Sequence, residues 1–203
     1  MGPGNRGAYP GKAYYVWVPE KRGAGMKGRD QLFSKKSDEW ETPKWLFDQL
    51  NEEFHFNFDG ACNYENCLCE HGNVIQDGIK VSWYPTWDKI YINPPYSKIA
   101  AFMEKAYIES QKGAVVVCLI PVRSDTRYWH DYVMKAAEIR IIRGRLKFIN
   151  PALPSWDPEG NFKVSPAPFP SCVVIFWQKE PEAINDPPVI GPTIEQPKKV
   201  KVA

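Results

Sequence analysis

Apolar residues fall along this chain in short blocks set apart by turn residues, and their spacing switches between the helical and the extended period. Leu46, Phe47, Leu50 and Phe54 recur at helical spacing, behind Thr42 as a candidate N-cap and Pro43 at the first helical position. Phe56-Asn57-Phe58-Asp59 alternates as a strand that ends at an acid, and Asp77-Gly78 marks a turn. Lys89-Ile90-Tyr91-Ile92 predicts a buried strand that must stop at Asn93-Pro94-Pro95-Tyr96, because proline has no N–H to give to a sheet. Ile99, Phe102, Met103 and Ala106 share one face of the next helix. Ala114 to Ile120 is a continuous apolar run of the kind found in central parallel strands, closed by Pro121. A helix over 127–137, a strand over Glu138–Ile142 and a strand or turn over Gly144–Phe148 follow. Six prolines between 150 and 170 predict a long exposed loop, and Cys172–Trp177 a last strand, antiparallel because a loop precedes it. Strand–helix alternation with apolar strands argues an α/β sheet covered on both faces.

Composition bounds the reading. The 203 residues are 43% hydrophobic, which suits one domain with a real core. No apolar run approaches the ~20 residues of a membrane helix, and Met1-Gly2-Pro3-Gly4-Asn5-Arg6-Gly7 lacks the apolar core of a signal peptide, so a cytoplasmic protein is expected. The net charge of +2 hides an asymmetry: residues 1–36 carry eight Lys and Arg against Glu20 and Asp30. That Gly-rich arm, with Tyr14–Val18 as a candidate short strand, suits contact with a nucleic-acid backbone. The expected organisation is an arm over 1–36, a catalytic domain over 37–178 and a Pro/Lys-rich flexible tail over 179–203. Cys118 and Cys172 sit in apolar runs as core residues. Cys62, Cys67, Cys69 and His71 offer four soft ligands, but without the paired C-x2-C knuckles of zinc sites. Reduced thiols and no metal are expected.

Asn93-Pro94-Pro95-Tyr96 carries the chemistry. A strand's carboxyl edge is where open α/β sheets bind ligands. There a side-chain amide oxygen and a backbone carbonyl can both accept from an NH2 group on a planar heterocycle, favouring sp3 character at a nitrogen whose lone pair is otherwise delocalised. Pro94 supplies the carbonyl, Pro95 stiffens it, and Tyr96 offers a face for stacking, worth ~1–3 kcal/mol per base. Such catalysis is positional and electrostatic and needs no tuned general base.

The ordered series Asp38-Glu39-Trp40-Glu41-Thr42-Pro43, Phe58-Asp59-Gly60-Ala61, Asp77-Gly78, Asn93-Pro94-Pro95-Tyr96-Ser97, Leu119–Thr126 and Gly144–Phe148 resembles the phage-type DNA N6-adenine methyltransferase (Dam) family over about residues 37–178. The resemblance implies a Rossmann-like, S-adenosylmethionine-dependent fold, a mostly parallel sheet with helices on both faces. It implies DNA as substrate, flipping of the target adenine, and a restriction–modification setting in a host cytoplasm. It assigns Asn93, Pro94, Pro95 and Tyr96 to catalysis, and Thr42, Pro43, Asp59, Ala61 and Asp77 to the cofactor. Arg123, Arg127, Arg145 and Lys147, after strand ends, become candidates for DNA contact. The chain departs from the pattern after Ala61, where Cys62-Asn63-Tyr64-Glu65-Asn66 replaces a Gly-x-Gly loop. Competing readings are a protein-glutamine or RNA-adenine methyltransferase, or a non-catalytic DNA-binding module.

Overall fold

A computed structural model describes residues 40–63, 66–74, 78–149, 164–167, 169–180, 183 and 186–197. The chain divides into two units, 1–32 and 33–203, and every described residue belongs to the second. The basic arm with Tyr14–Val18, Asp77, the 150–163 part of the Pro-rich loop and the Lys-rich end lie outside the described residues.

The fold is mixed α/β. Helix α1 (Lys44–Phe54) leads into β1 (Phe58–Cys62) and β2 (Gly72–Val74). Strand β3 (Lys89–Ile92), a 3-10 turn (Tyr96–Lys98), α2 (Ile99–Gln111), β4 (Val115–Pro121) and α3 (Arg127–Asp131) follow. The chain closes with β5 (Glu138–Ile141), β6 (Lys147–Ile149), β7 (Val164–Pro166), β8 (Ser171–Phe176) and β9 (Val189–Ile190). The main sheet has the order β2-β1-β3-β4-β8-β5-β9, with β6 and β7 as a separate hairpin. Strands β2, β1, β3 and β4 run parallel, and β8 lies antiparallel between β4 and β5, as its loop connection predicts.

Alternate residues of the central strands feed two cores, because successive strand side chains point to opposite faces. Tyr91, Val117, Leu119, Val173 and Ile175 pack with Leu46, Phe47 and Leu50 of α1. Ile90, Ile92, Val116, Cys118 and Val174 pack with Phe102, Met103 and Ala106 of α2 and with Trp129. Near the end of α2 the fully buried Glu109 accepts from the backbone N–H of Trp83 (3.2 Å) and Tyr84 (2.9 Å) and pairs with Lys105 (2.7 Å) and Lys112 (2.8 Å). Burial alone would raise its pKa, but these partners win and hold it down at about 2.

Four elements differ from the sequence reading. Pro43, not Thr42, occupies the N-cap of α1, and its carbonyl accepts from Leu46 and Phe47 N–H. Strand β1 does not end at Asp59 but continues to Cys62. The helix expected over 127–137 stops at Asp131, where Tyr132 (φ −129°, ψ −51°) leaves helical geometry before a 3-10 turn that buries Val133. Part of the expected tail is packed: β9 pairs with β5, and Ile194 is buried in the α1-side core. A Pro-rich composition hides these few apolar residues, which only the edge of β5 makes useful.

Candidate active site

The order β2-β1-β3-β4 contains a reversal. From β1 the chain moves outward to β2 and then crosses back to β3 on the other side, so a crevice opens at the carboxyl ends of β1 and β3. A recess there is lined by Trp40, Thr42, Asp59, Ala61, Tyr91 and Asn93, together with Glu41, Cys62, Asn66 and Leu68. It continues into a groove along Lys44, Phe47 and Asp48 of α1. Sheet pairing sets Asp59 opposite Tyr91.

Asn93 follows β3 directly. Its Nδ2 donates to the Trp40 carbonyl (2.6 Å) and to Thr42 Oγ1 (3.0 Å). Thr42 Oγ1 lies 2.7 Å from the Tyr91 hydroxyl in a buried contact. Thr42 therefore serves this network rather than the helix cap. Pro94 and Pro95 are buried, Tyr96 is half-buried against the α2-side core, and the Pro95 carbonyl accepts from Lys98 N–H (2.9 Å).

Asp59 is buried within β1. Its Oδ1 accepts from Ala61 N–H and its Oδ2 from Leu68 N–H, both at 3.2 Å. Burial pushes its carboxyl up to about 6, against the pull of those two N–H groups. The carboxylate thus ties Leu68 to β1 at the recess. In place of a glycine loop, Asn63 N–H donates to Asn66 Oδ1 (2.6 Å) and Asn66 N–H to Asn63 Oδ1 (3.1 Å).

The expected reduced thiols are not all present: Cys62 and Cys67 form a disulfide across this turn. A Cβ on Gly72 would collide with both sulfurs, so β2 needs glycine where the cross-link lies against it. Asp59, Cys62 and Cys67 bring their donor atoms within 4.8 Å of one another, but the two sulfurs are bonded to each other rather than paired as thiolates. Cys69 is a free, half-buried thiol pushed up to about 12 by burial and by the Asp59 charge.

Of the basic candidates, Arg123 follows β4 at the same sheet edge as Asn93 and lies 4.9 Å from the Phe169 ring. Arg127 is almost fully exposed on α3, and Arg145 and Lys147 are exposed around the start of β6. The β6 hairpin reaches the site through Phe148, whose ring centre is 5.8 Å from that of Trp40.

A family model described as DNA N-6-adenine-methyltransferase (Dam) matches residues 29–189. The chain belongs to that Dam family. A DNA N-6-adenine-methyltransferase of Haemophilus phage HP1 (strain HP1c1) is 28% identical over 159 residues, 73% of this chain and 84% of that protein. Another of that description, from Escherichia phage T1, is 26% identical over 103 residues, 50% of this chain and 43% of that protein. Among the described residues no helix is long and apolar enough to cross a membrane.

Tyr91, the Trp40 carbonyl, Asn66 and Leu68 are the lining groups of this Dam-family site that pattern reading passed over. Tyr91 had a signal, since a polar-tipped ring inside an aliphatic buried strand needs a hydrogen-bond partner. A backbone carbonyl such as that of Trp40 has none.

Proposed function

We infer that this Dam-family chain methylates the N6 amine of adenine in DNA, with S-adenosylmethionine as donor. The observation that carries the reading is Asn93: its NH2 is committed to Trp40 and Thr42, which leaves Oδ1 as an acceptor at the strand edge beside the recess. The donor set fits the cofactor. Asp59 and Glu41 suit its cationic groups, Asn66 its polar edges, and Leu68 and Phe47 its apolar surface. Thr42, Pro43 and Ala61 belong to the same proposed pocket. A Rossmann-like methyltransferase sheet is part of this reading, supported by the reversal between β1 and β3 and by antiparallel β8.

In the proposed mechanism Asn93 Oδ1 and the Pro94 carbonyl accept the two N–H groups of a flipped-out adenine, since the Pro95 carbonyl is already used by Lys98. Accepting both hydrogens turns the nitrogen lone pair out of the ring plane and aims it. Tyr96 stacks on the base. The bound cofactor supplies the electrophilic methyl group. Arg123, Arg127, Arg145 and Lys147 contact the DNA backbone, and the cytoplasm is the expected site of action.

The test supplies DNA, RNA and protein with methyl-labelled cofactor. N6-methyladenine in digested DNA is the expected product. Label only in glutamine or RNA, or in nothing, rejects the reading. Asn93→Ala should lose at least ~100-fold in kcat, the scale of one transition-state acceptor, while S-adenosylhomocysteine still binds in calorimetry.

A further inference from the structure

We propose that Tyr91 and Thr42 are positioning residues which, with the Trp40 carbonyl, form a socket that orients the Asn93 carboxamide and makes this site specific for asparagine over aspartate at position 93. The proposal rests on the methyl-transfer reading of Asn93.

A backbone carbonyl can only accept, so the Asn93 atom 2.6 Å from Trp40 O must be the NH2 nitrogen. The second hydrogen goes to Thr42 Oγ1 at 3.0 Å. Thr42 is held in turn by the Tyr91 hydroxyl at 2.7 Å. The Tyr91 ring has no freedom to drift: Phe47 meets it edge-on at 5.2 Å and Phe56 lies at 5.4 Å. Tyr91 is 0% exposed and Thr42 5%, so water does not compete for the bond between them. Both amide hydrogens are thereby spent, and Oδ1 is the group left to point at an incoming amine. An aspartate has no hydrogen for either partner. Its oxygen would face the Trp40 carbonyl, acceptor against acceptor, unless the acid were protonated. Burial against that carbonyl raises its pKa.

Four variants test the socket. Thr42→Val and Tyr91→Phe should each lower kcat about tenfold, the worth of one buried hydrogen bond, with KM for DNA little changed. Thr42→Ser, which restores the hydroxyl, should recover most of the loss. Asn93→Asp should lose at least ~100-fold at alkaline pH, the scale of one mis-set acceptor, and regain activity as pH falls and its carboxyl takes up a proton. Glu41, Asp59 and Tyr91, the titratable groups lining the same recess, are common to both proteins, so the added limb belongs to position 93. Wild-type kcat in Thr42→Val and Tyr91→Phe, or a flat, fully active Asn93→Asp profile, overturns the proposal. A second measurement needs no variant to fold and no turnover: in 15N-labelled wild type the Asn93 side-chain NH2 should exchange slowly with solvent. Fast exchange rejects the socket even if adenine is methylated. Slow exchange without methylation keeps the socket and rejects the functional reading.

Discussion

Asp59 is the buried carboxyl of the proposed donor pocket. Its carboxyl sits up at about 6 because burial outweighs the N–H groups of Ala61 and Leu68. The folded value lies above the ordinary 3.8, so the folded chain holds this proton more tightly than the unfolded one. Its contribution to stability therefore falls as pH rises from 3.8 to about 6. Ligand binding follows the opposite sign. In the proposed pocket the Asp59 carboxylate accepts from the cofactor and protonation removes that acceptor, so affinity for S-adenosylhomocysteine should weaken as pH drops through about 6. Calorimetry across that range checks it, and Asp59→Asn should remove the step.

Between β1 and β2, Asn63 and Asn66 bond each other where a glycine loop is absent. The two Asn63–Asn66 bonds, the Leu68 N–H bond to Asp59 and the Cys62–Cys67 cross-link hold Asn63, Asn66 and Leu68 beside the recess. Closing so short a loop with the cross-link stabilises it by about 2 kcal/mol on the chain-entropy account. Reducing the disulfide should therefore weaken S-adenosylhomocysteine binding, and a Cys62→Ala/Cys67→Ala protein should bind alike with and without reductant. Equal affinity for oxidised and reduced wild type would show that the other three bonds suffice.

At the scale of the molecule, one sheet edge brings together the proposed donor and acceptor groups: β1 runs into the recess and β3 ends at Asn93, with Arg123 following β4. The proposed DNA contact rests on exposed cations rather than on the small net charge of +2. Replacing Arg127 or Lys147 by alanine should lower DNA affinity without changing cofactor affinity. Removing one phosphate-binding cation should reduce the salt slope of log K by about 1. Binding measured at several salt concentrations decides it; an unchanged slope removes that residue from the interface.

Asn93, Pro94, Pro95 and Tyr96 were legible in the sequence because proline's missing N–H and fixed φ are local properties that end a strand wherever the chain goes. So were the two buried faces of the sheet, the apolar stripe of α2 and the antiparallel course of β8. Thr42 was legible as a residue but not in its role. Its hydroxyl bonds residues 49 and 51 positions away, and no local pattern encodes such pairs. The same holds for β9 on the edge of β5, and for Asp59, which reads as a strand end and is a buried brace inside β1. The sequence by itself determined which chemical groups stand at the strand edge. Only the tertiary structure decided which hydrogens of Asn93 are spent, because that depends on a carbonyl, a hydroxyl and a phenol brought together from separate segments.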